Sequence, residues 1–171
     1  MVTGTTQLIR AALRNDLPRV LQLVQLGAPL DATDRDDTPY SALQWACREG
    51  RERVAEALLD GKYEGRGANI DLLSEGLTPL MLASALEHEG VVRVLLARGA
   101  SQELQDEYGR TALHVAVQHD HPSIVQLLCA APGAAATLAL RDKDGRTPLA
   151  LAVEDGFVAC AAVLRAHGAS E

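Results

Sequence analysis

At 171 residues the chain is long enough for one compact domain or one short repeat array. Hydrophobic residues make up 47% but aromatics only 3%, and the apolar content is mostly Ala, Leu and Val, a helical composition rather than that of a strand-rich core. The net charge of −7 argues against a nucleic-acid surface, which needs clustered Lys and Arg, and no block of like charge is long enough to be a tail.

The first stretch, "TTQLIRAALRNDLPRVLQLV", is amphipathic and carries Arg, as a transit peptide would. It also contains Asp16 and follows the periodicity of the rest of the chain, so it reads as mature structure; no secretory signal is visible. From here on the chain repeats itself. A hydroxyl residue recurs at Thr6, Ser41, Thr78, Thr111 and Thr147, at spacings of 35, 37, 33 and 36. Two residues later comes Leu8, Leu43, Leu80, Leu113 or Leu149. Five later comes Ala11, Ala46, Ala83, Ala116 or Ala152, and seventeen later Leu23, Leu58, Leu95, Leu128 or Leu164.

These columns predict helices. The hydroxyl is a good N-cap, and Pro79 and Pro148 follow it where a missing N–H costs nothing. Leu and the small residues share one helix face, so a second helix can approach closely. A second apolar run, such as "VVRVLLARGA" at 91–100, ends at Gly-Ala, with Gly27, Gly67, Gly99 and Gly168 suited to C-caps. Each unit therefore reads as a short helix, a turn, a longer helix and a Gly-led loop. Asp-rich segments ("DRDDTPY", "DEYG", "DKDG") predict tight hairpin-like turns between units. The units fall at about 6–35, 36–72, 73–105, 106–141 and 142–171, in one domain over 1–171. No unit can bury its apolar face alone, so the prediction is an all-α repeat solenoid. The longest charge-free apolar stretch, "LLCAAPGAAATLAL", is broken by Pro132 and Gly133 and is too short to span a bilayer.

The segments "DEYGRTALHVAVQHDHPSIVQLL" and "DKDGRTPLALAVEDGFVACAAVL" resemble ankyrin repeats, and the resemblance covers about residues 6–169. It implies about five helix-turn-helix repeats with hairpin-like loops. The departures are specific. The first unit lacks Asp-Gly-Thr-Pro, as an N-terminal capping repeat would. Arg165 stands where inner copies have Leu59, Leu96 and Cys129, as in a C-terminal cap. Capped ends are the expectation of a complete small monomeric protein. Unit two has Pro39 and Ser41 at its turn and the long loop "DGKYEGRGAN". Unit three has Leu73 in place of the turn Asp and Glu87 in place of a helix-ending Gly. Unit four carries an extra "APGAAATL".

Catalytic readings find little support. His114 is a conceivable base, but the resemblance implies a structural histidine bonded to turn backbone. "HDH" at 119–121 lacks the further converging ligands that zinc needs, and His121 matches the start of the second helix in the family pattern. Cys47, Cys129 and Cys160 occupy apolar helix columns, and their odd number without a close pair predicts reduced thiols in an intracellular protein. The loop with Lys62 and Arg66 lacks the arrangement of a phosphate loop, which leaves Tyr63 at its tip as an accessory contact. No enzyme activity, cofactor or metal is expected.

The resemblance implies a protein-binding module whose contacts fall on turn tips and first-helix ends. Those positions give the expected contact residues Tyr40, Arg48, Leu77, Leu86, Tyr108, Arg110, Gln118, His119, Arg146 and Asp155, with Asp37, Thr38, Glu75, Lys143 and Asp144 beside them. Tyr40 and Tyr108 are read as exposed aromatics, and Leu77 with Leu86 as the apolar centre of a face across units two to four. The alternative is that the leucines pack between repeats and Tyr40 packs on the Pro39 turn. Trp45 is expected to pack in the core. The acidic balance implies a protein partner with a basic or mixed-charge surface, no nucleic acid and no membrane. Two functions stay open: an adaptor or masking inhibitor, and a regulatory or targeting subunit of a kinase, ligase or phosphatase complex. The expected compartment is the cytoplasm, with the nucleus as a second.

Overall fold

A computed structural model describes residues 4–33, 39–61 and 67–170. Eleven α-helices account for the regular structure of these residues, with one isolated antiparallel bridge, Ser74 to Leu77. The chain divides into two compact units, Met1–Pro79 and Leu80–Glu171. The first holds the pairs α1 (Gly4–Leu13) with α2 (Leu17–Gln25) and α3 (Ala42–Arg48) with α4 (Glu52–Leu59). The second pairs α5 (Pro79–Ala85) with α6 (Glu89–Ala97), α7 (Ala112–Gln118) with α8 (Pro122–Ala130), and α10 (Pro148–Glu154) with α11 (Val158–Ala166). The extra residues of unit four form a short helix, α9 (Ala134–Ala139), entered through Gly133 at φ 87°.

The repeated columns do what their chemistry predicts. Leu8, Leu43, Leu80, Leu113 and Leu149 are all buried, as are the five alanines three positions on and the five leucines of the second helices. Each fully buried leucine contributes about 1.5–3 kcal/mol, so these columns hold every repeat to its own helix pair. Ser41, Thr111 and Thr147 cap α3, α7 and α10, accepting the N–H three residues on at 3.1–3.4 Å. Thr6 departs from this role, because α1 starts at Gly4 and places it inside the helix. That early start also makes α1 longer than α2, 10 residues against 9, the reverse of the expected order.

The alanine column has a second function that composition does not reveal. The carbonyls of Ala11, Ala46, Ala83, Ala116 and Ala152 each accept the N–H five residues on, from Asp16, Arg51, His88, His121 and Phe157, at 2.7–3.1 Å. This bond closes a helix end only if the residue before the donor is left-handed. The positions concerned are Asn15, Gly50, Glu87, Asp120 and Gly156, all with positive φ. Glu87, which takes the place of a glycine, therefore sits at φ 57°. A side chain there costs about 1 kcal/mol, and the exposed contacts of Glu87 with His121 and Ser123 return about half of it. Glu87→Gly is expected to raise the thermal midpoint by about 1–2 °C, read by differential scanning calorimetry. A lower midpoint would mean that the Ser123 and His121 contacts outweigh the backbone strain.

Three of the second helices, α2, α6 and α11, end in the same way, whereas α8 ends at an extended Ala131. Ala28, Ala100 and Ala169 donate to Leu23, Leu95 and Leu164, and Ala68 closes the corresponding bond to Leu58 across the longer loop. The turn of unit three is one residue shorter than its sequence alignment implies. Ser74, not Leu73, opens it, exchanging both backbone hydrogen bonds with Leu77, while Leu73 is exposed. The Ser74 hydroxyl donates to Gln44 at 2.8 Å, a buried bond that an apolar side chain at this point could not make.

Candidate functional site

The turns that precede α7 and α10 are built on buried carboxylates. Asp106 accepts the N–H groups of Tyr108 and Arg110 at 2.9 and 2.8 Å, and Asp142 accepts those of Asp144 and Arg146 at 3.0 and 2.9 Å. The guanidinium four residues on returns to the same carboxylate, Arg110 to Asp106 at 2.7–2.8 Å and Arg146 to Asp142 at 2.8–2.9 Å. Burial works to raise the Asp142 carboxyl, but the Arg146 side chain and the two backbone N–H groups outweigh it and hold the carboxyl below its usual range. The two turns are laced together: Lys143 N–H donates to the Tyr108 carbonyl at 2.9 Å, and Gln105 donates to the Gly109 and Arg141 carbonyls.

Under the turns lies His114, which is fully buried. The Thr111 N–H donates to its Nδ1 at 3.3 Å, which leaves Nε2 to carry the proton and donate to the Arg146 carbonyl at 3.1 Å. Its ring therefore bonds the capping residue of its own helix and the turn of the next repeat. Burial lowers its pKa. Gln44 does the same work in the first unit, accepting from Ser41 N–H at 3.0 Å and donating to the Leu72 and Leu77 carbonyls at 3.0 and 3.1 Å. Both nitrogens of His114 are thus committed to backbone, and no proton-transfer role is left for it.

Above this scaffold the second unit forms a cleft of about 220 Å³, lined by Tyr108, Arg110, Gln118, Asp142, Lys143, Asp144, Arg146, Leu151 and Asp155. Five of the expected contact residues, Tyr108, Arg110, Gln118, Arg146 and Asp155, meet here. Tyr108 is 57% exposed, with the Arg110 guanidinium 4.8 Å from its ring centre. Arg110 also donates to Gln118, so the tip residue and the end of α7 are physically joined. Arg146 reaches Asp144 at 2.7 Å and Glu154 at 3.8 Å. Asp142 and Leu151 were not anticipated as lining residues. Their signal was the repeat itself: Asp106 and Asp142 open matching turns, and Leu151 stands four residues after its cap, as Val115 does.

The remaining expected residues lie apart from this cleft. His119 is exposed, its ring stacked on His121 at 5.9 Å; burial, then His121 and Arg110, lower its pKa. His121 is held elsewhere, its Nε2 3.1 Å from the Ala85 carbonyl. Leu86 is exposed in the second unit, and Leu77 is half-buried in the first.

Tyr40 corrects the expectation of an exposed aromatic. It is only 7% exposed and packs edge-on against Trp45, ring centres 5.7 Å apart, because it stands directly before the capping Ser41, at the base of α3 rather than at a turn tip. Trp45 is half-buried rather than fully packed in the core, with Arg48 5.1 Å over its ring. Asp37, Thr38, Lys62, Tyr63 and Arg66 lie outside the described residues. All three cysteines are buried free thiols, and burial raises each, Cys129 to about 11 and Cys160 to about 12. No helix among the described residues is long and apolar enough to cross a membrane.

Comparison with known proteins agrees with the repeat architecture. A family model described as ankyrin repeats (3 copies) matches residues 8–106 and 96–171. Rabankyrin-5 of Homo sapiens is 34% identical over 144 residues, covering 82% of this chain and 12% of that protein. The B-cell lymphoma 3 protein homolog of Mus musculus is 38% identical over 93 residues, covering 54% of this chain and 21% of that protein. The E3 ubiquitin-protein ligase KEG of Arabidopsis thaliana is 34% identical over 147 residues, covering 82% of this chain and 8% of that protein. The chain thus spans only 8–21% of the length of these relatives.

Proposed function

Since this chain belongs to the ankyrin-repeat family, whose repeats are generally protein–protein interaction modules, we propose that it is a non-enzymatic binding module, an adaptor or masking inhibitor. Its partner is a protein with a basic or mixed-charge surface, taken on the turn tips and first-helix ends. The contact set comprises Tyr108, Arg110, Gln118, His119, Arg146, Asp155 and Leu86 in the second unit, with Arg48 and Leu77 in the first. Tyr40 is left out because it is buried. The observation that carries this reading is the cleft where five of these residues meet. The groups that chemistry would need support it from the other side: His114 is bonded at both nitrogens and the cysteines are buried thiols. Nucleic acid and membrane are not among the proposed partners, given the net charge of −7. The module acts as a monomer in the cytoplasm or nucleus, where buried thiols stay reduced.

A second reading, a regulatory or targeting module of an enzyme complex, draws on one comparison. Similar repeats occupy part of a protein named as an E3 ubiquitin-protein ligase. Ligase, kinase or phosphatase activity co-purifying with the chain would favour it over the adaptor.

The test is affinity capture from source-cell lysate with wild type and Tyr108→Ala. Both Tyr108 and Leu86 are exposed, so Leu86→Ala serves as a second variant; Leu77→Ala would add a packing loss. Tyr108→Ala is expected to lower partner recovery at least about fivefold, the scale of an aromatic hot spot. The thermal midpoint should move by less than about 3 °C, since only the exposed Arg110 contact is lost. Equal recovery by wild type and both variants would remove this surface from the reading.

A further inference from the structure

The chemistry of the cleft between the last two turns is more specific than a general contact surface. Three cations, Arg110, Lys143 and Arg146, line it, which at first suggests a site for an anion. Two of them are already neutralised. Arg110 is held by Asp106 and Arg146 by Asp142, carboxylates whose side chains are 1% and 2% exposed. Those carboxylates also carry the backbone of their turns, so neither arginine can turn to a phosphate without unmaking the turn that positions it. Arg146 has two further acidic neighbours, Asp144 and Glu154. Asp155 lines the cleft and makes no ion pair among the described residues. Three carboxylates, Asp142, Asp144 and Asp155, line the cleft against the three cations, and Asp106 and Glu154, outside the lining, pair with its two arginines and bring the carboxylates to five. The surplus is negative, and it lies beside an exposed aromatic ring.

We propose that this cleft receives an arginine side chain of the partner protein, presented on an exposed peptide segment. The incoming guanidinium stacks at the Tyr108 rim and its charge faces Asp155 and Asp144, while its aliphatic stem covers Leu151. The volume, about 220 Å³, is below the roughly 300–1,000 Å³ of small-molecule sites and suits one long side chain. Arginine fits better than lysine, because a planar guanidinium can stack on tyrosine and still donate to carboxylates on its edge. Arg110 covers one face of the ring at 4.8 Å, and with Tyr108 57% exposed the incoming guanidinium takes the part of the ring that Arg110 leaves open. The inference rests on the interaction-module reading and narrows the partner's chemistry.

The probe is a fluorescein-labelled Gly/Ser peptide carrying arginines, compared by anisotropy with twins carrying citrulline, lysine or phosphoserine. At near-physiological salt the arginine peptide is expected to bind about tenfold tighter than the citrulline peptide and tighter than the lysine peptide. Tyr108→Ala and Asp155→Asn should each weaken it about fivefold. Glu52→Gln with Glu56→Gln, both exposed on α4, lowers the negative charge in the first unit and should change it less than about twofold. Equal binding of arginine and citrulline peptides, tighter binding of phosphoserine, or equal loss in the α4 variant would each overturn the proposal. The lysate capture separates the two levels. A partner lost with Tyr108→Ala while the arginine peptide fails to bind leaves the module reading intact and removes only the arginine pocket. A partner indifferent to Tyr108 removes the module surface itself.

Discussion

Replacing His114 with alanine is expected to lower the unfolding free energy by about 3 kcal/mol, while glutamine in its place costs less than about 1 kcal/mol. The alanine variant orphans the buried Thr111 N–H, takes from the Arg146 carbonyl one of its two bonds, the other being from Asp142 N–H, and leaves a cavity where a fully buried ring stood. The glutamine variant follows a precedent in the same chain. Gln44 bonds the capping residue of α3 and the following turn with the same division of labour, its oxygen accepting from Ser41 N–H and its nitrogen donating to the turn. Urea unfolding at neutral pH reads both variants; equal destabilisation by alanine and glutamine would refute the tether.

The pH dependence follows from the same geometry. Burial depresses the folded pKa of His114, against the opposing pull of the Arg146 carbonyl and the Asp142 and Asp106 carboxylates. Below the ordinary value of 6.5 the unfolded chain binds a proton that the folded chain refuses. The stability contributed by the neutral ring is therefore present above 6.5 and is lost as pH falls from there through the folded value. His114→Gln should flatten this limb. A residual slope is expected from His119, whose pKa is also lowered, and His119→Gln in the same background would remove it.

The second large effect separates two glycines that look alike. Gly109 in "DEYG" and Gly145 in "DKDG" occupy matching turn positions at φ 75° and 80°. Alanine at Gly145 meets nothing within 4 Å and costs only the backbone strain, about 1 kcal/mol. At Gly109 the added carbon would stand 2.9 Å from the Lys143 backbone nitrogen and 3.2 Å from Asp142 backbone atoms. Backbone must move, and the Lys143-to-Tyr108 hydrogen bond that joins the two turns is the bond in the way. Gly109→Ala is expected to cost about 3 kcal/mol or more, and to weaken partner capture because the cleft spans both turns. Equal melting temperatures for the two variants would show that the turns do not depend on this close approach.

The sequence by itself determined the architecture, because its information is periodic and local. Leu, Ala and Leu at fixed offsets, a hydroxyl before each first helix and Gly-Ala after the second were enough to name the helix pairs and their apolar faces. Five of the expected contact residues line one cleft for the same reason: turn tips and helix ends keep their offsets. What the tertiary structure decided concerns neighbours that no offset records. Tyr40 and Tyr108 precede their caps by one and three residues, and one ring is buried on Trp45 while the other is exposed under Arg110. Leu73 was aligned with the turn aspartate, but Ser74 opens that turn because its hydroxyl can reach Gln44. Nor does any offset record that Arg110 and Arg146, expected as contact residues, are each held in an ion pair. The buried Asp106 and Asp142 neutralise the two arginines, a pairing that only the folded turns bring about.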